Sequence, residues 1–174
     1  MNAITVRDAR EDDCAAMQVL YAHHVEHGLA SWEESPPDVA EIRRRMQAVT
    51  SAGYPFRVAE YEGALRGYAY ASSYRPRPAY RYCVENSVYV DAAYQGLGIG
   101  GTLLEDLIVQ CTALGYRQMI AVIGDSKNAA SIKLHTAQGF EHCAIMPALG
   151  FKHGQWLDQV LMQRSLGEGD KTKP

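Results

Sequence analysis

The sequence predicts an α/β protein with one domain, built on a single mixed β-sheet of about seven strands that is flanked by about four helices. Strand-like and helix-like segments follow one another in the order β-α-α-β-β-β-α-β-α-β-β. The early strands are joined as hairpins, whereas those in the middle are separated by a helix long enough for a parallel crossover. The length of 174 residues, with 47% hydrophobic residues, supports one full core and leaves little room for a second.

The first elements are predicted from turn and cap signals. "AITVRDA" (residues 3–9) has the composition of a short strand. Acidic residues open a helix over residues 11–27, and Gly28 ends it. Asp38 is a good N-cap for a second helix over residues 39–49.

The central strands come next. Segments 56–61 and 65–74 are joined by a Glu-Gly pair, which is typical of a β-hairpin. "RPRP" (residues 75–78) cannot continue a ladder because proline lacks an N–H, so it is predicted to be a loop. "YCVENSVYV" (residues 82–90) is rich in β-branched and aromatic residues and predicts a strand.

The second half alternates helices and strands. The elements are a helix over residues 98–113, a buried strand over 118–123, a helix over 128–138 and two last strands over 140–146 and 157–163. Residues 147–156 are predicted to be a loop. The domain is therefore expected to span residues 1–166, with residues 167–174, "GEGDKTKP", as a disordered tail.

Composition narrows the functional classes. The net charge of −3 gives no general attraction to nucleic acid or to anionic membranes. No apolar run approaches the ~20 residues of a membrane span, and the N-terminus lacks the apolar core of a secretion signal, so a cytoplasmic protein is expected. The four cysteines show no C-x-x-C pair, which favours reduced, mostly buried thiols over a zinc ribbon or a disulfide framework.

The glycine-rich segment "QGLGIGG" fits two phosphate-binding patterns. Gly96, Gly98 and Gly101 form the G-x-G-x-x-G of a dinucleotide-binding turn. Gln95, Gly98 and Gly100 form Q-x-x-G-x-G, a pattern for binding the pyrophosphate of coenzyme A. In both, missing β-carbons let backbone N–H groups approach phosphate oxygens, and the start of a helix adds free amides and partial positive charge.

The position of the segment separates these patterns. A dinucleotide turn follows the first strand of its domain almost at once, with an acidic residue ~20 positions later. Asp125 lies near that distance, but five residues separate Val90 from Gly96, and almost half of the chain precedes them. No G-K-[ST] follows, which excludes a nucleoside-triphosphate loop. Coenzyme A is therefore the favoured ligand, and a plain glycine-rich helix cap remains as an alternative.

Longer segments resemble a known family. "SVYVDAAYQGLGIGGTLLEDLI", followed by "AVIGDSKNAASIKLHTAQGF", resembles the acetyl-CoA-binding part of the GNAT acetyltransferase superfamily. Resemblance to the phosphinothricin and methionine sulfoximine N-acetyltransferases is carried by "SWEESPP", "GYPFRVAE", "RPRPAYRYCVENSVYV" and "GFKHGQWLDQVLMQ". The matching segments run from about Ile4 to Gln163. The resemblance implies an acetyl-CoA-dependent enzyme that acetylates the α-amine of a small amino acid analogue, works as a homodimer, and confers herbicide or antibiotic resistance.

The resemblance also implies how acetyl-CoA is held. Backbone contacts to the pantetheine arm are expected from Val88, Tyr89 and Val90. The pyrophosphate is expected to be wrapped by Gly96, Leu97, Gly98, Ile99, Gly100 and Gly101, with Gln95 adding a side-chain donor. Asn128 is expected to touch the cofactor where two parallel strands splay. Its alternative, compatible role is that of a helix N-cap.

Glu85 and His135 are the candidate catalytic residues. Strand alternation places Glu85 on one face with Cys83 and Ser87, and the resemblance implies that Glu85 is a general base acting through water. A salt bridge to a neighbouring arginine is the alternative. His135 matches a histidine of the resembling enzymes, and its ordinary pKa of about 6.5 suits proton exchange. A purely structural histidine is its alternative. A backbone N–H near Val90 is expected to stabilise the oxyanion.

The acceptor site is expected to bind a carboxylate and a phosphinate or sulfoximine group. Arg75 and Arg77 are candidates because Pro76 stiffens their loop and arginine binds oxyanions bidentately; solvated loop arginines are the alternative. The resemblance also assigns acceptor contacts to Glu85, Asn86 and Ser87. Candidates for the walls of the acceptor pocket are Trp32, Phe151 and Trp156. Related enzymes often carry Phe or Thr where Ser31 and Trp32 lie, which leaves the size of the acceptor open.

A metal-binding pattern in the first helix is not supported. His23, Glu26 and His27 spell H-x-x-E-H, as in some metalloproteases. Two histidines at this spacing can ligate zinc, but no third ligand is evident, so no metal is predicted and an exposed polar face is expected.

Two other functions remain open at this level. One is a GNAT enzyme acting on a different amine: a polyamine, an antibiotic or a protein N-terminus. The other is a non-catalytic acyl-CoA-binding module.

Overall fold

The computed structural model of the chain describes residues 3–174 and contains seven strands and four α-helices in that part. The strands are β1 (Thr5–Asp8), β2 (Phe56–Tyr61), β3 (Ala64–Ser73), β4 (Cys83–Val90), β5 (Gln118–Gly124), β6 (Glu141–Lys152) and β7 (Gln155–Ser165). The helices are α1 (Cys14–His27), α2 (Val39–Ser51), α3 (Ile99–Ala113) and α4 (Ala129–Ala137). The predicted α/β class, with about seven strands and four helices, is confirmed.

The sheet has one parallel pair at its centre. Its strand order is β1-β2-β3-β4-β5-β7-β6, and every neighbouring pair is antiparallel except β4 with β5. The parallel pairing runs from Cys83 opposite Gln118 to Asn86 opposite Ala121. Beyond Asn86, β4 has no pairing with β5, whereas β5 stays paired with β7 as far as Gly124. A gap therefore opens between the carboxyl ends of β4 and β5.

Two hydrophobic cores cover the two faces of the sheet. On one face, α3 buries Leu103, Leu104 and Leu107 in a cluster that includes Ala71 and Val84 of the sheet. On the other face, residues of α1 and α2 pack with the sheet in a second cluster, which includes Met17, Val25, Ile42, Met46, Phe56 and Tyr68. Because side chains alternate along a strand, β4 directs neighbouring residues to different cores.

The loop predicted over residues 147–156 is wrong. β6 continues to Lys152 and β7 begins at Gln155. Pro147 is tolerated because β6 is the edge strand and the pairing shifts between Met146 and Gly150, which is the kind of site where strands accept proline. The tight turn is made by His153 and Gly154, with φ of 48° and 75°, which matches the right-handed twist of a hairpin.

The carboxyl-terminal residues lie in turns beside Arg117. Its guanidinium donates to the carbonyls of Gly169 (3.3 Å) and Lys173 (3.1 Å) and to Thr172 Oγ1 (3.0 Å). The domain limit at residue 166 and the disorder of residues 167–174 stay predictions.

None of the four cysteines forms a disulfide; Cys14 and Cys111 are buried, Cys83 is half-buried and Cys143 is exposed. Among the described residues, no helix combines the length and the apolar character that a membrane span requires.

Candidate active site

Glu85 presents a free carboxylate on the α1 side of the sheet. Ser72, Tyr70 and Tyr68 of β3 lie opposite Glu85, Ser87 and Tyr89 of β4, so all six side chains share this face. Glu85 is half-buried, and its carboxylate makes neither a hydrogen bond nor an ion pair with any residue from 3 to 174. Burial raises the pKa of Glu85, and the positive charge of Arg75 partly opposes that effect. The salt bridge considered as an alternative is therefore not formed.

Arg75, Pro76 and Arg77 lie in the exposed loop between β3 and β4. The guanidinium of Arg75 sits 5.1 Å from the centre of the Tyr74 ring. Arg77 directly precedes a single 3₁₀ turn, Pro78–Tyr80. Arg75 is thus close enough to influence Glu85 electrostatically, and its hydrogen-bonding groups remain accessible to a ligand.

Asn86 and His135 lie on the opposite face of the sheet from Glu85. Asn86 Nδ2 donates to the Ile120 carbonyl (3.0 Å), which leaves Asn86 Oδ1 facing His135 Nε2 at 3.0 Å. His135 is only 4% exposed, and its Nδ1 lies 2.8 Å from the Ser131 carbonyl and 3.4 Å from Ser131 Oγ. Burial lowers the pKa of His135. The two predicted catalytic residues, Glu85 and His135, therefore lie on opposite faces of the sheet. The side chains of Asn86 and Ser87, both predicted to contact the acceptor, also point to opposite faces.

The glycine segment ends in a helix start with unused amides. Gly96 and Gly98 have φ of 80° and 90°, a conformation that glycine adopts without strain, and α3 begins at Ile99. The backbone N–H groups of residues 96–101 donate to no described residue. Residues 95–98 are also exposed. A row of free amides at a helix N-terminus is a ready anion site.

The end of β4 directs backbone groups into the gap beside β5. The Asp91 N–H donates to the Arg66 carbonyl at 2.8 Å. Because bonded and non-bonded pairs alternate along an antiparallel ladder, the next pair, Gly67 with Val90, exchanges no hydrogen bond. The N–H and carbonyl of Val90 therefore point away from β3, as do those of Val88.

His24 of α1 contacts this strand end, which no sequence pattern indicated. His24 Nε2 lies 2.8 Å from the Val90 carbonyl, and because a carbonyl can only accept, Nε2 carries the proton and donates. Burial lowers the pKa of His24, so the ring is neutral at neutral pH. Tyr89 turns toward α1, where its ring lies 5.0 Å from that of Tyr21. Spacing could have placed His24 on the buried stripe of α1, because it follows Met17 and Tyr21 at helical intervals.

Asn128 is the N-cap of α4. Its Oδ1 accepts from the Ser131 N–H at 3.1 Å, as the alternative role predicted. The side chain is half-buried, near the carboxyl end of β5. A cofactor contact from Asn128 remains a prediction.

Trp32 lies over two glycines of the sheet. A β-carbon on Gly150 would lie 3.0 Å from the Trp32 ring, and one on Gly124 would lie 2.7 Å from Trp32 Nε1 and from the Ala30 carbonyl. These positions are glycine because the α1–α2 loop packs directly on the strands. Phe151 and Trp156, by contrast, are 56% and 67% exposed near the tip of the β6–β7 hairpin.

Lys152 anchors the α1–α2 loop to the end of β6, a role that no sequence pattern indicated. The side chain is buried, and its Nζ donates to the carbonyls of Val25 (2.7 Å), Gly28 (2.9 Å) and Ser31 (2.7 Å). The sequence predicts a loop over residues 147–156, where a lysine is expected to be solvated, whereas the structure places Lys152 at the end of β6 and buries it.

Two other candidate ligand sites lie away from Glu85. The rings of His23 and His27 are tilted against each other with their centres 4.6 Å apart, but the described chain holds no group of three or more His, Cys, Asp or Glu residues arranged for a metal. A hollow of about 670 Å³ is lined by residues such as Gln138, Cys143 and Arg164 and does not include Glu85.

Comparisons with known proteins agree with this geometry. The family model described as "Acetyltransferase (GNAT) family" matches residues 16–140. The phosphinothricin N-acetyltransferase of Alcaligenes faecalis is 52% identical over 99% of this chain and 87% of its own length. The L-methionine sulfoximine/L-methionine sulfone acetyltransferase of Salmonella typhimurium is 42% identical over 95% of this chain and 96% of its own.

A solved structure extends the agreement to the backbone. The GNAT superfamily phosphinothricin acetyltransferase from Sinorhizobium meliloti, crystallised with acetyl-CoA, superposes with a TM-score of 0.95 at 50% identity. The match covers 98% of this chain and 92% of that one. The family model, the relatives and the superposed structure agree, and the chain therefore belongs to the acetyltransferase (GNAT) family.

Proposed function

We propose that this chain transfers the acetyl group of acetyl-CoA directly to the α-amine of a small amino acid analogue of the phosphinothricin or methionine sulfoximine type. The observation that carries the proposal is the free, half-buried carboxylate of Glu85 on the strand that leads into the row of unused amides. The names of the two relatives support this acceptor class.

Acetyl-CoA fits the groups that β4 and α3 leave unused. The amides of residues 96–101 suit the pyrophosphate, with Gln95 beside them. The N–H groups of Val88 and Val90 suit the pantetheine arm and the thioester carbonyl, because they point into the gap between β4 and β5. Bound there, acetyl-CoA supplies an activated acetyl group.

Glu85 has the position and the protonation behaviour of a general base. Its raised pKa makes it a stronger proton acceptor than an ordinary glutamate. Glu85 takes one proton of the substrate ammonium through water, and the amine forms the C–N bond with the acetyl carbon. The C–S bond then breaks, and the departing coenzyme thiolate receives the second proton that the nitrogen loses as the amide forms. The Val90 N–H stabilises the negative charge that develops on the carbonyl oxygen.

His135 has a positioning role in this proposal. Nε2 of the buried ring lies 3.0 Å from Asn86 Oδ1, and the Nδ2 of the same amide donates to the Ile120 carbonyl of β5. Asn86 is the last paired residue before β4 and β5 separate. His135 therefore supports the point where the gap begins and does not exchange protons with the substrate.

A panel of amines tests the function. Release of free thiol from acetyl-CoA should be fastest with phosphinothricin, methionine sulfoximine or methionine sulfone, and slow with polyamines, aminoglycosides and peptides. Faster release with any of the latter would assign a different acceptor. Tight binding of acetyl-CoA in calorimetry, with no thiol release for any amine, would identify a non-catalytic binding module.

Arg75 and Arg77 are expected to bind the carboxylate of the acceptor. Replacing both by glutamine should raise KM for the acceptor about tenfold, because charge-assisted hydrogen bonds contribute about 1.5–3 kcal/mol each and these sites are exposed. KM for acetyl-CoA should not change. A change confined to KM for acetyl-CoA would move the two arginines to the coenzyme site.

A homodimer is proposed through the outer edge of the sheet. β6 is the last strand, so one of its edges is unpaired, and Ile145, Leu149, Phe151 and Trp156 are more than half exposed on this hairpin. Sedimentation equilibrium should give twice the 19.2 kDa chain mass. A variant with serine at Phe151 and Trp156 should sediment as a monomer; an unchanged dimer would place the interface elsewhere.

A cytoplasmic location is proposed because the four cysteines are unpaired and the proposed acetyl donor is a cytoplasmic metabolite. Cell fractionation should recover the acetyltransferase activity with the cytoplasm. Recovery with the periplasm would overturn this.

A further inference from the structure

Arg66 occupies a β-bulge in β3. Its neighbour Gly67 pairs with Ala59 of β2. Its other neighbour, Leu65, pairs with Glu60, the next residue of β2, so Arg66 is the extra residue of the bulge. A bulge turns a side chain out of the regular alternation of its strand, and this one directs Arg66 to the residue that follows β4.

Two contacts join the Arg66 side chain to the 3₁₀ turn Ala92–Tyr94, which leads into the glycine segment. Nη1 donates to Asp91 Oδ2 at 3.2 Å, and the guanidinium carbon lies 3.9 Å from the centre of the Tyr94 ring. A cation at this distance over an aromatic face is attracted by the ring. Because Asp91 is the N-cap of the turn and Tyr94 is its last residue, Arg66 contacts both ends of the turn.

Asp91 uses all of its polar groups in and around the turn. Its N–H donates to the Arg66 carbonyl at 2.8 Å, and its carbonyl accepts from the Tyr94 N–H at 2.9 Å. Its Oδ1 accepts from the Ala93 N–H at 3.1 Å, and its Oδ2 accepts from Arg66. The backbone and the side chain of Arg66 therefore both bind the residue that starts the turn.

The Arg66 Nε is buried and has no hydrogen-bond partner among residues 3–174. Buried donors are nearly always paired, so an unpaired one requires an explanation. The guanidinium is held by the Tyr94 ring and by Asp91, and this placement leaves Nε without an acceptor. Nε and Nη1 are both unavailable to a ligand, which indicates that Arg66 acts through the turn.

The turn determines where the glycine segment starts. Only Gln95 separates Tyr94 from Gly96, where the row of unused amides of residues 96–101 begins. Glycine has more conformational freedom than any other residue, so the segment cannot hold its own shape. The start of α3 at Ile99 holds one end of it, and the turn holds the other. Amides that are ordered before the ligand arrives bind it more tightly, because no ordering cost remains.

We propose that Arg66 is a positioning residue for the coenzyme, which holds the amides of residues 96–101, through Asp91 and Tyr94, in the arrangement that binds the pyrophosphate. The inference rests on the proposed acetyl-CoA site. Arg66 contributes to the affinity for acetyl-CoA and not to the chemical step, because Glu85 lies near the other end of β4. Lysine cannot replace it, since an ammonium lacks the planar fork that contacts a carboxylate and a ring together.

The first test is Arg66→Lys, which keeps the charge. The Kd and the KM for acetyl-CoA should rise about tenfold, whereas kcat and the KM for the acceptor should stay within about twofold. A general loss of structure would change all four quantities and contradict the proposal. An unchanged Kd for acetyl-CoA overturns it as well. Arg57→Lys is the matched control, because Arg57 is also a strand arginine that binds an aspartate, Asp106 of α3, at 2.7 Å. Its Kd for acetyl-CoA should not change.

A shortened acetyl donor tests the link to the pyrophosphate. S-acetyl-N-acetylcysteamine carries the thioester and one amide of the coenzyme arm but no phosphate. In Arg66→Lys, kcat/KM for acetyl-CoA should fall about tenfold, whereas kcat/KM for the short donor should not change. Equal losses with the two donors would show that Arg66 supports β4 as a whole, and the proposal then fails.

Asp91→Asn tests the same contact from the other side and covers the case in which Arg66→Lys does not fold. Asparagine can still accept from the Ala93 N–H but lacks the charge that binds Arg66. The Kd for acetyl-CoA should rise, and the double variant should bind no more weakly than the weaker single variant, because the two residues act as one unit. Additive losses contradict this coupling. If the wild-type protein gives no heat with acetyl-CoA in calorimetry, the proposed coenzyme site itself fails, and that result is distinct from a wrong role for Arg66.

Discussion

Glu85→Gln is expected to lower kcat about 10²- to 10⁴-fold, the range in which a general base contributes. Glutamine keeps the size of the side chain but cannot accept the ammonium proton at neutral pH. The carboxylate forms no hydrogen bond or ion pair within the described chain, so its loss should not unfold the protein. The amides proposed to bind acetyl-CoA belong to other residues, and the Kd for acetyl-CoA should stay within about twofold.

The pH dependence of the wild-type enzyme provides a second measurement of the same group. Burial raises the pKa of Glu85, and a base must be deprotonated to act. As the pH falls, kcat/KM should therefore begin to decline at a pH above the ordinary glutamate pKa of about 4.3. Arg75 holds this pKa down, so neutralising Arg75 should move the acidic limb to higher pH.

A matched control variant distinguishes the loss of the catalytic base from the loss of one negative charge. Glu105 is an exposed glutamate on α3, whose buried residues pack on the other face of the sheet. Glu105→Gln removes the same charge and should leave kcat unchanged. If Glu85→Gln also retains full activity, Glu85 is not the base, and another group or bulk water removes the proton.

The parts of the site that sequence predicts are those encoded by local spacing. The glycine segment and Glu85 lie within one strand and one turn, where the alternation of side chains and the free amides of a helix start follow from chain geometry alone. Alternation also implies that Asn86 points away from Ser87. The resemblance to known enzymes predicts that both residues contact the acceptor, whereas the structure directs their side chains to opposite faces of the sheet.

The parts that sequence does not predict depend on contacts between distant segments. In the sequence, Tyr68 is one of several aromatic strand residues, and its position facing α2 follows only from the tertiary packing. The prediction of a loop over residues 147–156 is wrong. Proline usually ends a strand, but β6 accepts Pro147 because β6 is the edge strand of the sheet. His24 contacts a carbonyl that is 66 residues away in sequence.

Lys152→Met is expected to cause the largest loss of stability, about 3 kcal/mol. The ammonium donates all three of its protons to carbonyls. Two of these carbonyls, those of Val25 and Gly28, lie at the C-terminal end of α1, where a positive charge interacts favourably with the helix dipole. Methionine fills a similar volume but leaves these acceptors buried without donors. Hydrogen bonds to a charged group contribute about 1.5–3 kcal/mol each, and the cost of burying the ammonium offsets part of the total.

Thermal unfolding measures this effect. For a chain of this size, about 3 kcal/mol corresponds to a fall in Tm of about 6–12 °C. Lys133→Met removes an exposed lysine from α4 and should change Tm by no more than about 1–2 °C, as is usual for surface substitutions. Equal Tm changes in the two variants would show that the three carbonyls find other donors.

The kinetics of Lys152→Met connect this stability to function. Lys152 ties the Ser31 carbonyl to β6, and the Ser31 hydroxyl in turn lies 3.0 Å from that of Tyr21, whose ring packs against Tyr89 on the sheet face that carries Glu85. Releasing this tie should loosen the α1–α2 loop with Trp32 and raise KM for the acceptor. KM for acetyl-CoA should change little, because the glycine segment lies at the start of α3 and has no contact with Lys152. A loss of acetyl-CoA binding instead would show that the loop also supports the coenzyme site.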